Sequence, residues 1–284
     1  MKLREPCLPM GWYPRDKSKI EEFLVPYSHS ASKGGIAKSV IAPHAGWYYS
    51  GSLAALAISS LEREADTVVV IGGHLSQGMP ILIAIEDGVK TPLGNMEIDS
   101  EFRKEFEKQM FNKNRAPQSD KYEDNTVEVL LPMIHYFFPR ASLLWLRFPA
   151  EISSYDAGKL LSKTALDLGR SIVVLASVDL THYGDNYGFA PNGRGKTALD
   201  WVKNVNDASL IDAVLDGDPS LVLKRAEEDY SCCSAGAILG AMGHADSLLA
   251  DRKKAKLLKY ATSADISGES APASFVGYAA ISLG

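Results

Sequence analysis

The sequence has few cysteines, no long apolar run and no excess of positive charge. Its three cysteines (Cys7, Cys232 and Cys233) are an odd number with two adjacent, so they do not form a disulfide framework. The formal net charge of -5 provides no basic field to attract nucleic acid. No apolar run reaches the roughly 18 residues of a membrane-spanning helix, and the N-terminus lacks the apolar region of a secretory signal. We therefore expect a reduced, cytoplasmic protein with no nucleic-acid or membrane partner.

Several catalytic motifs are also absent. The chain contains no G-x-S-x-G nucleophile elbow, no phosphate-binding P-loop, no G-x-G-x-x-G dinucleotide fingerprint and no C-x-x-C pair. Each of these motifs places a nucleophile, a phosphate cradle or a redox pair at a fixed position of its fold. Their absence disfavours a serine hydrolase, a nucleoside triphosphatase and a Rossmann dehydrogenase.

The composition is ordinary for a soluble globular enzyme, with 46% hydrophobic and 23% charged residues. The chain has no internal repeat or long linker, and we expect a single domain over residues 1–284. Apolar, β-rich runs predict strands over residues 38–43, 66–73, 80–86, 141–148, 171–177 and 274–283. The stretches between them predict helices over residues 52–64, 100–110, 127–138, 155–169, 196–217 and 232–251.

The pattern of these strands indicates an α/β fold. The runs "TVVVIG" (67–72) and "SIVVLAS" (171–177) are apolar without alternation, as in strands that are buried on both faces. Helices alternate with the strands along the chain, which is typical of a mostly parallel central sheet flanked by helices on both faces. We predict that fold class.

Four chemically active side chains directly follow predicted buried strands. His44 follows the first strand, His74 the second, and Asp179 and His182 the fifth. The carboxyl ends of parallel strands line the ligand crevice of open α/β sheets. We therefore expect these side chains to converge at one edge of the sheet, where they could bind a metal or transfer protons.

Each histidine has a structural alternative. The stretch "IAPHAGWYYSG" (41–51) holds His44 on a stiff loop between a proline and two glycines, where it is a candidate metal ligand or acid–base group. Taken alone, it is more simply explained as a helix cap or a partner of a buried carbonyl. His74 repeats the pattern in "GGHLSQG" (72–78), and two such histidines at two strand ends favour a shared site.

Asp179 and His182 are three residues apart in "ASVDLTHYG" (176–184). In a turn this spacing brings both side chains onto one side, and a carboxylate beside an imidazole fixes its tautomer and raises its basicity. The structural alternative is an N-capping aspartate with a surface histidine. We expect His182, oriented by Asp179, to act as an acid or base toward a bound substrate.

Cys232 and Cys233 precede the small-residue-rich stretch "SAGAILGA" (234–241), which predicts a helix. The positive end of a helix dipole lowers the pKa of a thiol, and the thiolate is the form that binds metals. Either cysteine alone is otherwise explained as a small, buried apolar residue. These residues by themselves leave both interpretations open.

Taken together, the motifs resemble those of the Memo family (mediator of ErbB2-driven cell motility), whose microbial members are also called AmmeMemoRadiSam system protein B. The matching segments occur in the family's order and span nearly the whole chain. They are "IAPHAGWYYSG" (41–51), "TPLGNMEID" (91–99), "TVEVLLPMIHYFFP" (126–139), "SVDLTHYG" (177–184), "CCSAGAI" (232–238) and "YATSADISGESAPASFVGYAA" (260–280). The first segment is the most specific, and the others support it because they occur together.

This resemblance implies a fold and a site. The family is similar in fold to class III extradiol dioxygenases, which cleave catechol rings at a non-haem iron. Its members carry a metal pocket of two histidines and one cysteine, and by resemblance these positions fall on His44, His74 and Cys233. Cys233 is preferred to Cys232 because the family's cysteine stands five residues before an isoleucine, here Ile238.

The chain also departs from the family pattern. Asp179 and His182 match the family's other pocket-lining acid and histidine, but a histidine usual before the "VEVLLP" helix is replaced by Asn125. Asparagine forms hydrogen bonds but does not transfer a proton at neutral pH. The usual Gly-Pro-x-His loop is a shorter "GGH", and Ser234 and Ala237 replace a glycine and a proline. The resemblance thus implies that the metal ligands are retained and the substrate side of the pocket is altered.

Three functions remain open at this stage. Nitrogen and sulfur ligands suit iron, copper or zinc and disfavour magnesium or calcium. The first function is a metal-dependent, dioxygenase-like oxidoreductase that acts on oxygen or a small substrate such as an aromatic compound. The second is a non-catalytic protein that binds a peptide or another ligand, and the third is a zinc-dependent hydrolase. Each of these is compatible with a homo-oligomer.

Overall fold

Among the residues that the computed structural model describes (1–31, 37–248 and 255–284), nine strands form a central sheet and three form a smaller one. The strands are β1 (Leu3–Arg4), β2 (Ser39–Ala42), β3 (Thr67–Leu75), β4 (Leu82–Ile83), β5 (Gly88–Thr91), β6 (Gly94–Glu97), β7 (Gln118–Ser119), β8 (Ser142–Pro149), β9 (Ile172–Ser177), β10 (His182–Gly184), β11 (Lys256–Thr262) and β12 (Ser274–Leu283). The small sheet has the order β1-β5-β6. The large sheet has the order β10-β12-β2-β9-β3-β8-β4-β7, with β11 beside β12.

Helices connect most of the strands of the large sheet. They are α1 (Lys17–Ala31), α2 (Trp47–Ser59), α3 (Ser100–Phe111), α4 (Asn125–Glu128), α5 (Leu131–Phe137), α6 (Ser153–Leu168), α7 (Lys196–Trp201), α8 (Asp207–Leu215), α9 (Pro219–Glu228), α10 (Ala235–Leu248) and α11 (Ser263–Ser267). A π-helical segment (Val202–Asn206) joins α7 to α8. In the described part of the chain, no helix is long and apolar enough to cross a membrane.

The four central strands β2, β9, β3 and β8 are parallel to one another. In β3, Val68 and Val70 pack into the core on one face of the sheet, and Val69 and Ile71 pack into the core on the other. Successive side chains of a strand point to opposite faces, so a strand covered on both sides needs a continuous apolar run. The strand predictions for these four stretches are therefore confirmed.

Helices cover both faces of this sheet. Helices α1, α2 and α5 contribute to one core cluster, which includes Leu24, Leu53 and Ile134. Helices α3, α6, α8 and α10 contribute to the other, which includes Leu161 and Leu239. Apolar burial of this kind stabilises a fold by about 25 cal/mol for each Å² removed from water. The predicted α/β class, with a central sheet flanked by helices, is confirmed.

The strands that flank the parallel centre run in the opposite direction. Strand β12 pairs antiparallel with β2, where Ile281 lies opposite Ile41, and β4 pairs antiparallel with β8. Strand β11, which was not predicted, forms an antiparallel pair with β12. Strand direction depends on the path of the connecting chain, which the residues of one strand do not encode. The sheet is therefore parallel in its centre and mixed overall.

Two predicted helices are divided in the structure. The one over 127–138 consists of α4 and α5, because Pro132 in the first turn of α5 lacks the N–H that would continue a helix from α4. The one over 196–217 is divided into α7 and α8 by the π-helical segment. Neither α1 nor α9 was predicted, and α1 contains Pro26, a residue that normally indicates the end of a helix.

Other predicted elements differ from the structure mainly in their ends. The strand predicted over 80–86 is shortened to β4, and the helix predicted over 52–64 is α2, which begins earlier, at Trp47. The helix predicted over 232–251 is α10, which begins at Ala235. Residues 249–251 of that prediction lie outside the described residues. The later start of α10 leaves Cys233 in the turn before the helix.

Candidate metal centre

The carboxyl ends of β2, β3 and β9 meet at an open cavity of about 720 Å³. His44 follows β2, His74 is near the end of β3, and Asp179 and His182 follow β9. All four residues line the cavity. The structure thus brings together the side chains that the strand pattern places at one edge of the sheet.

His44, His74 and Cys233 form a cluster of three potential metal ligands. One ligand atom from each residue lies within 4.8 Å of the other two, and Cys233 Sγ is 3.4 Å from His44 Nε2. The two imidazole rings are nearly perpendicular, with centroids 5.2 Å apart. His44 is buried, Cys233 is half-buried and the side chain of His74 is 34% exposed. The cluster could therefore hold a metal ion that remains accessible from the cavity.

A glycine allows the end of β3 to approach the cysteine segment. A Cβ atom on Gly73 would lie 2.1 Å from Ser234 Oγ, so any other residue would push the two segments apart. The next residue, His74, has a φ of +58°, a left-handed conformation that residues other than glycine seldom adopt. The "GGH" sequence therefore places a histidine next to Cys233 by means of close backbone packing.

The hydrogen bonds of His44 leave its Nε2 atom available as a ligand. Ser177 Oγ donates its proton to the carbonyl of Thr126, so it accepts a hydrogen bond from His44 Nδ1 at 2.9 Å. The ring proton is therefore on Nδ1, and the lone pair of Nε2 faces Cys233 Sγ. Burial and the neighbouring His74 lower the pKa of His44 to about 3, which keeps the ring neutral, as metal binding requires.

A carboxylate orients the second histidine. His74 Nδ1 donates to Asp124 Oδ2 at 3.0 Å, which leaves Nε2 of this ring as the ligand atom. Burial raises the pKa of Asp124, but hydrogen bonds from His74 and Thr126 and the charge of Arg147 outweigh it and bring the value to about 2. Asp124 is thus ionised at neutral pH, and an ionised acceptor strengthens its hydrogen bond to the imidazole.

The beginning of α4 supports both histidines. Asp124 binds His74 directly, and Thr126 accepts the hydroxyl of Ser177, which in turn binds His44. Between them, Asn125 Nδ2 donates to the backbone carbonyl of His44 at 3.3 Å. Asn125 lines the cavity, and its amide acts here as a hydrogen-bond donor to the His44 loop.

Asp179 contacts the His44 loop and not the ring of His182. Its Oδ1 atom accepts a hydrogen bond from the backbone N–H of His44 at 2.7 Å, and its Oδ2 atom lies 3.8 Å from His44 Nε2. Burial raises the pKa of Asp179 to about 6, although the nearby His182 and the N–H of His44 oppose this shift. Asp179 was predicted to orient His182, and in the structure its hydrogen bond goes to the loop of His44.

His182 is oriented by the backbone. Its Nδ1 atom donates to the carbonyl of Leu180 at 3.1 Å, so its Nε2 atom carries the lone pair. Burial lowers the pKa of His182, against the opposing effect of Asp179. The ring packs edge-on against Tyr187, with centroids 5.0 Å apart. A neutral imidazole at a cavity with an acceptor nitrogen has the form of a general base.

The two adjacent cysteines lie in different surroundings. The backbone N–H of Cys233 donates to the Asp179 carbonyl at 3.1 Å, while Cys232 pairs with Leu180 and packs against the apolar core. Burial raises the pKa of Cys232 to about 12, and burial together with Asp179 raises the pKa of Cys233 well above its usual value. The pKa of both thiols is therefore raised, whereas the start of a helix after them was expected to lower it. A metal bound to Cys233 would displace the thiol proton.

Two supporting residues, Asp124 and Ser177, were not predicted. Ser177 is a polar residue at the end of an otherwise apolar strand, which is the one signal the sequence offered for it. Asp124 is followed two residues later by Thr126, a spacing that is typical of an aspartate capping a short helix, and it does cap α4. Neither pattern identifies the histidine that the residue contacts, because the partners are distant in the sequence.

The chain matches the family model for Memo-like proteins over residues 4–282. It is 31% identical to a MEMO1 family protein from Pyrococcus abyssi over 293 aligned positions, which cover 98% of each chain. It is also 31% identical to a MEMO1 family protein from Methanosarcina mazei, with 99% of each chain covered. The crystal structure of an uncharacterized protein from Escherichia coli K12 superimposes with a TM-score of 0.48 at 12% identity, covering 87% of this chain and 100% of that one. The match to the family model over nearly its whole length shows that this chain belongs to the Memo family.

Proposed function

We propose that this chain binds one redox-active metal ion through His44 Nε2, His74 Nε2 and Cys233 Sγ and oxidises a small substrate in the adjacent cavity. The observation that supports this proposal is the arrangement of the ring protons. Both imidazoles donate from Nδ1 to groups of the protein, so both Nε2 lone pairs and one sulfur are left for a single ion. Histidines that bind metals are characteristically held in this way.

The donor set suits iron, copper or zinc, and of these the proposed oxidation requires iron or copper, because zinc does not change its oxidation state. Two imidazoles and a thiolate are softer than the two imidazoles and one carboxylate of many non-haem iron sites, which increases the preference for copper or zinc. Three protein ligands leave further coordination positions, and the cavity gives solvent-sized ligands access to them. The proposal includes a reduced, cytoplasmic setting, because Cys233 must remain a free thiol until it binds the metal.

The protein residues on the cavity side have separate roles in this proposal. A bound redox metal would supply electron transfer with oxygen or with the substrate. His182 Nε2 accepts a proton from an acidic group of the substrate, and Leu180 holds the opposite nitrogen of the ring. Asp179 is a positioning residue that fixes the backbone at His44.

The cavity mouth suits a small aromatic substrate. Tyr48, Tyr49 and Tyr187 line the cavity and remain 69%, 42% and 46% exposed, so their rings are available to a ligand. Aromatic rings stack in offset or edge-to-face arrangements that contribute about 0.5–1.5 kcal/mol each beyond burial alone. A planar ligand would therefore be bound between these tyrosines and His182.

The test measures metal content and turnover in the same preparations. Wild-type protein, Cys233→Ser and His182→Asn are purified without a histidine tag or chelator, and their iron, copper and zinc are quantified. Oxygen uptake is then followed with a panel of catechols. We expect Cys233→Ser to lose the metal and His182→Asn to keep it, with turnover in His182→Asn reduced by about 10²- to 10⁴-fold. Equal metal content in wild type and Cys233→Ser would contradict the metal site.

A second candidate function is ligand binding without turnover. The observation that favours it is the use of the Asn125 amide to hold the His44 carbonyl, at a position where a histidine could transfer protons. In that case the tyrosine-lined cavity would bind a peptide or another small ligand beside a metal or in its absence. The same measurements separate the two candidates, because a binding protein shows ligand affinity with no oxygen uptake in any variant.

A further inference from the structure

A buried arginine that is not one of the three candidate ligands contacts the residue before His74 and the carboxylate that binds the His74 ring. Arg147 belongs to β8, next to β3 in the sheet, and its side chain is buried. Its Nε atom donates to the carbonyl of Gly73 at 3.0 Å. One of its terminal nitrogens forms an ion pair with Asp124 Oδ2 at 3.1 Å. That carboxylate oxygen is the one that accepts the hydrogen bond from His74 Nδ1.

These contacts determine where the His74 ring can point. The hydrogen bond from Arg147 to the Gly73 carbonyl fixes the peptide group between Gly73 and His74. His74 itself has the uncommon φ of +58°. Asp124 fixes the far side of the ring through Nδ1. One guanidinium group therefore holds both the backbone before the histidine and the acceptor that sets its tautomer, as a rigid fork of donors can.

Arg147 is itself held on its opposite side. Its other terminal nitrogen lies 3.5 Å from Asp120 Oδ1, and Asp120 is fully buried. Asp120 Oδ2 accepts a hydrogen bond from Trp145 Nε1 at 2.9 Å. The guanidinium is thus fixed between two carboxylates, so its orientation toward His74 is set before any metal binds.

We propose that Arg147 is a positioning residue of the metal centre, which pre-organises His74 by holding Gly73 and Asp124 together. This inference rests on the proposed metal site. In this inference Arg147 does not bind the ion, but it keeps His74 Nε2 directed at the ion. A lysine at this position keeps the positive charge, but its single ammonium group does not reproduce the two directions of a guanidinium fork.

The test compares Arg147→Lys with a matched control, Arg103→Lys. Arg103 also donates to two backbone carbonyls, those of Ala84 and Glu86, but does not contact the site. Affinity for copper and zinc is measured by competition with a chelator, and thermal unfolding is measured on the metal-free proteins. We expect Arg147→Lys to weaken metal binding by about 10- to 100-fold and Arg103→Lys to leave it unchanged.

A second readout does not depend on bound metal. In metal-free protein with ¹⁵N-labelled histidine, the His74 signals should show a proton on Nδ1 in the wild type and a mixture of tautomers in Arg147→Lys. His74→Gln identifies these signals among those of the six histidines. Adding Arg147→Lys to Asp124→Asn should weaken binding by less than the product of the separate effects, because both act on one ring.

The outcomes separate this inference from the proposed function. If wild-type protein and His74→Gln bind metal equally, the metal site itself is wrong. If His74→Gln abolishes binding while Arg147→Lys keeps both the wild-type affinity and the wild-type His74 tautomer, the role of Arg147 is wrong. A loss of affinity in Arg147→Lys with an unchanged tautomer, and equally in Arg103→Lys, would indicate general destabilisation and would also overturn the inference.

Discussion

Two buried histidines at opposite ends of β2 have closely similar surroundings around most of the ring. His44 follows the carboxyl end of the strand, and His244, in α10, contacts Ser39 at the amino end. Each ring bonds a serine hydroxyl through Nδ1, Ser177 at 2.9 Å for His44 and Ser39 at 2.7 Å for His244. Burial lowers the pKa of both rings to about 3. The two histidines are therefore alike in their burial and in their lowered pKa.

They differ at the Nε2 atom. In His44 it faces Cys233 Sγ at 3.4 Å, beside a cavity that His74 also lines. In His244 it is buried with no hydrogen-bond partner in the described part of the chain. A buried nitrogen without a hydrogen-bond partner costs stability. The lowered pKa therefore does not distinguish the candidate metal ligand from a histidine of the core, whereas the atoms that face Nε2 do.

The difference follows from the elements that carry the two residues. His44 stands on a loop at the carboxyl end of a parallel strand, where side chains of several strands converge. His244 stands in α10, which packs closely against α6. A Cβ atom on its neighbour Gly243 would lie 2.0 Å from the Tyr155 carbonyl. Among the described residues, His244 does not belong to a group of three potential metal ligands.

The largest expected effect comes from removing each ring. We expect His44→Ala to abolish binding of the metal and His244→Ala to retain it, because only His44 Nε2 faces a second donor atom. His244→Ala should instead lower the free energy of unfolding by about 2 kcal/mol through lost packing. Metal content and chemical denaturation of the two variants test this. If correctly folded His244→Ala also lost the metal, the surroundings of Nε2 would not be what distinguishes the two histidines.

A smaller effect is expected when the serine partners are removed. Ser177→Ala leaves the Nδ1 proton of His44 without its acceptor, so the ring can turn or change tautomer, and metal affinity should fall by about 10- to 100-fold. Ser39→Ala removes the serine that contacts Nδ1 of His244 and should leave metal affinity unchanged, with a loss of about 1 kcal/mol in stability. Isothermal titration of metal-free proteins distinguishes the pair, and equal affinities would mean that the serine does not orient His44.

Much of the fold could be predicted because a strand that is buried on both faces of a sheet has an unbroken apolar sequence. The unbroken apolar runs of β3 and β9 predicted both strands, and the position of His44 and His74 after such strands predicted their convergence. The choice of Cys233 over Cys232 came from the family resemblance, and the structure places the Cys233 sulfur beside His44.

What could not be predicted depends on contacts between distant residues. Asp124 meets His74 across 50 positions, and Ser177 meets His44 across 133. Neither pair has a periodic pattern, because each is formed by strands and loops that are neighbours only in the folded sheet. The spacing of Asp179 and His182 led us to expect that Asp179 orients His182, but its carboxylate accepts a hydrogen bond from the His44 backbone, and His182 Nδ1 donates to the Leu180 carbonyl. The spacing of two residues along the chain predicts that their side chains are close together. It does not determine from which hydrogen-bond donor a carboxylate accepts.

The smallest expected effect concerns the dependence of stability on pH. A folded-state pKa of about 3 for His244 lies below the value of about 6.5 in an unfolded chain, so the unfolded state takes up a proton first as the pH falls. Stability contributed by the neutral ring is therefore complete above the unfolded pKa and is lost as the pH falls from about 7 toward 3. Between pH 7 and pH 6 this loss is about 0.7 kcal/mol for each such histidine.

Replacing His244 with a residue that does not titrate should reduce that loss. His244→Gln keeps a polar group near Ser39, and the stability of this variant should fall by about 0.7 kcal/mol less between pH 7 and pH 6 than that of the wild type. His44 should contribute a similar loss in metal-free protein, because its pKa is lowered for the same reason, burial. Denaturant unfolding of metal-free wild type and His244→Gln at both pH values measures this. Parallel pH profiles would mean that the pKa of His244 is the same in the folded and unfolded protein, so the two rings would share burial but not a lowered pKa.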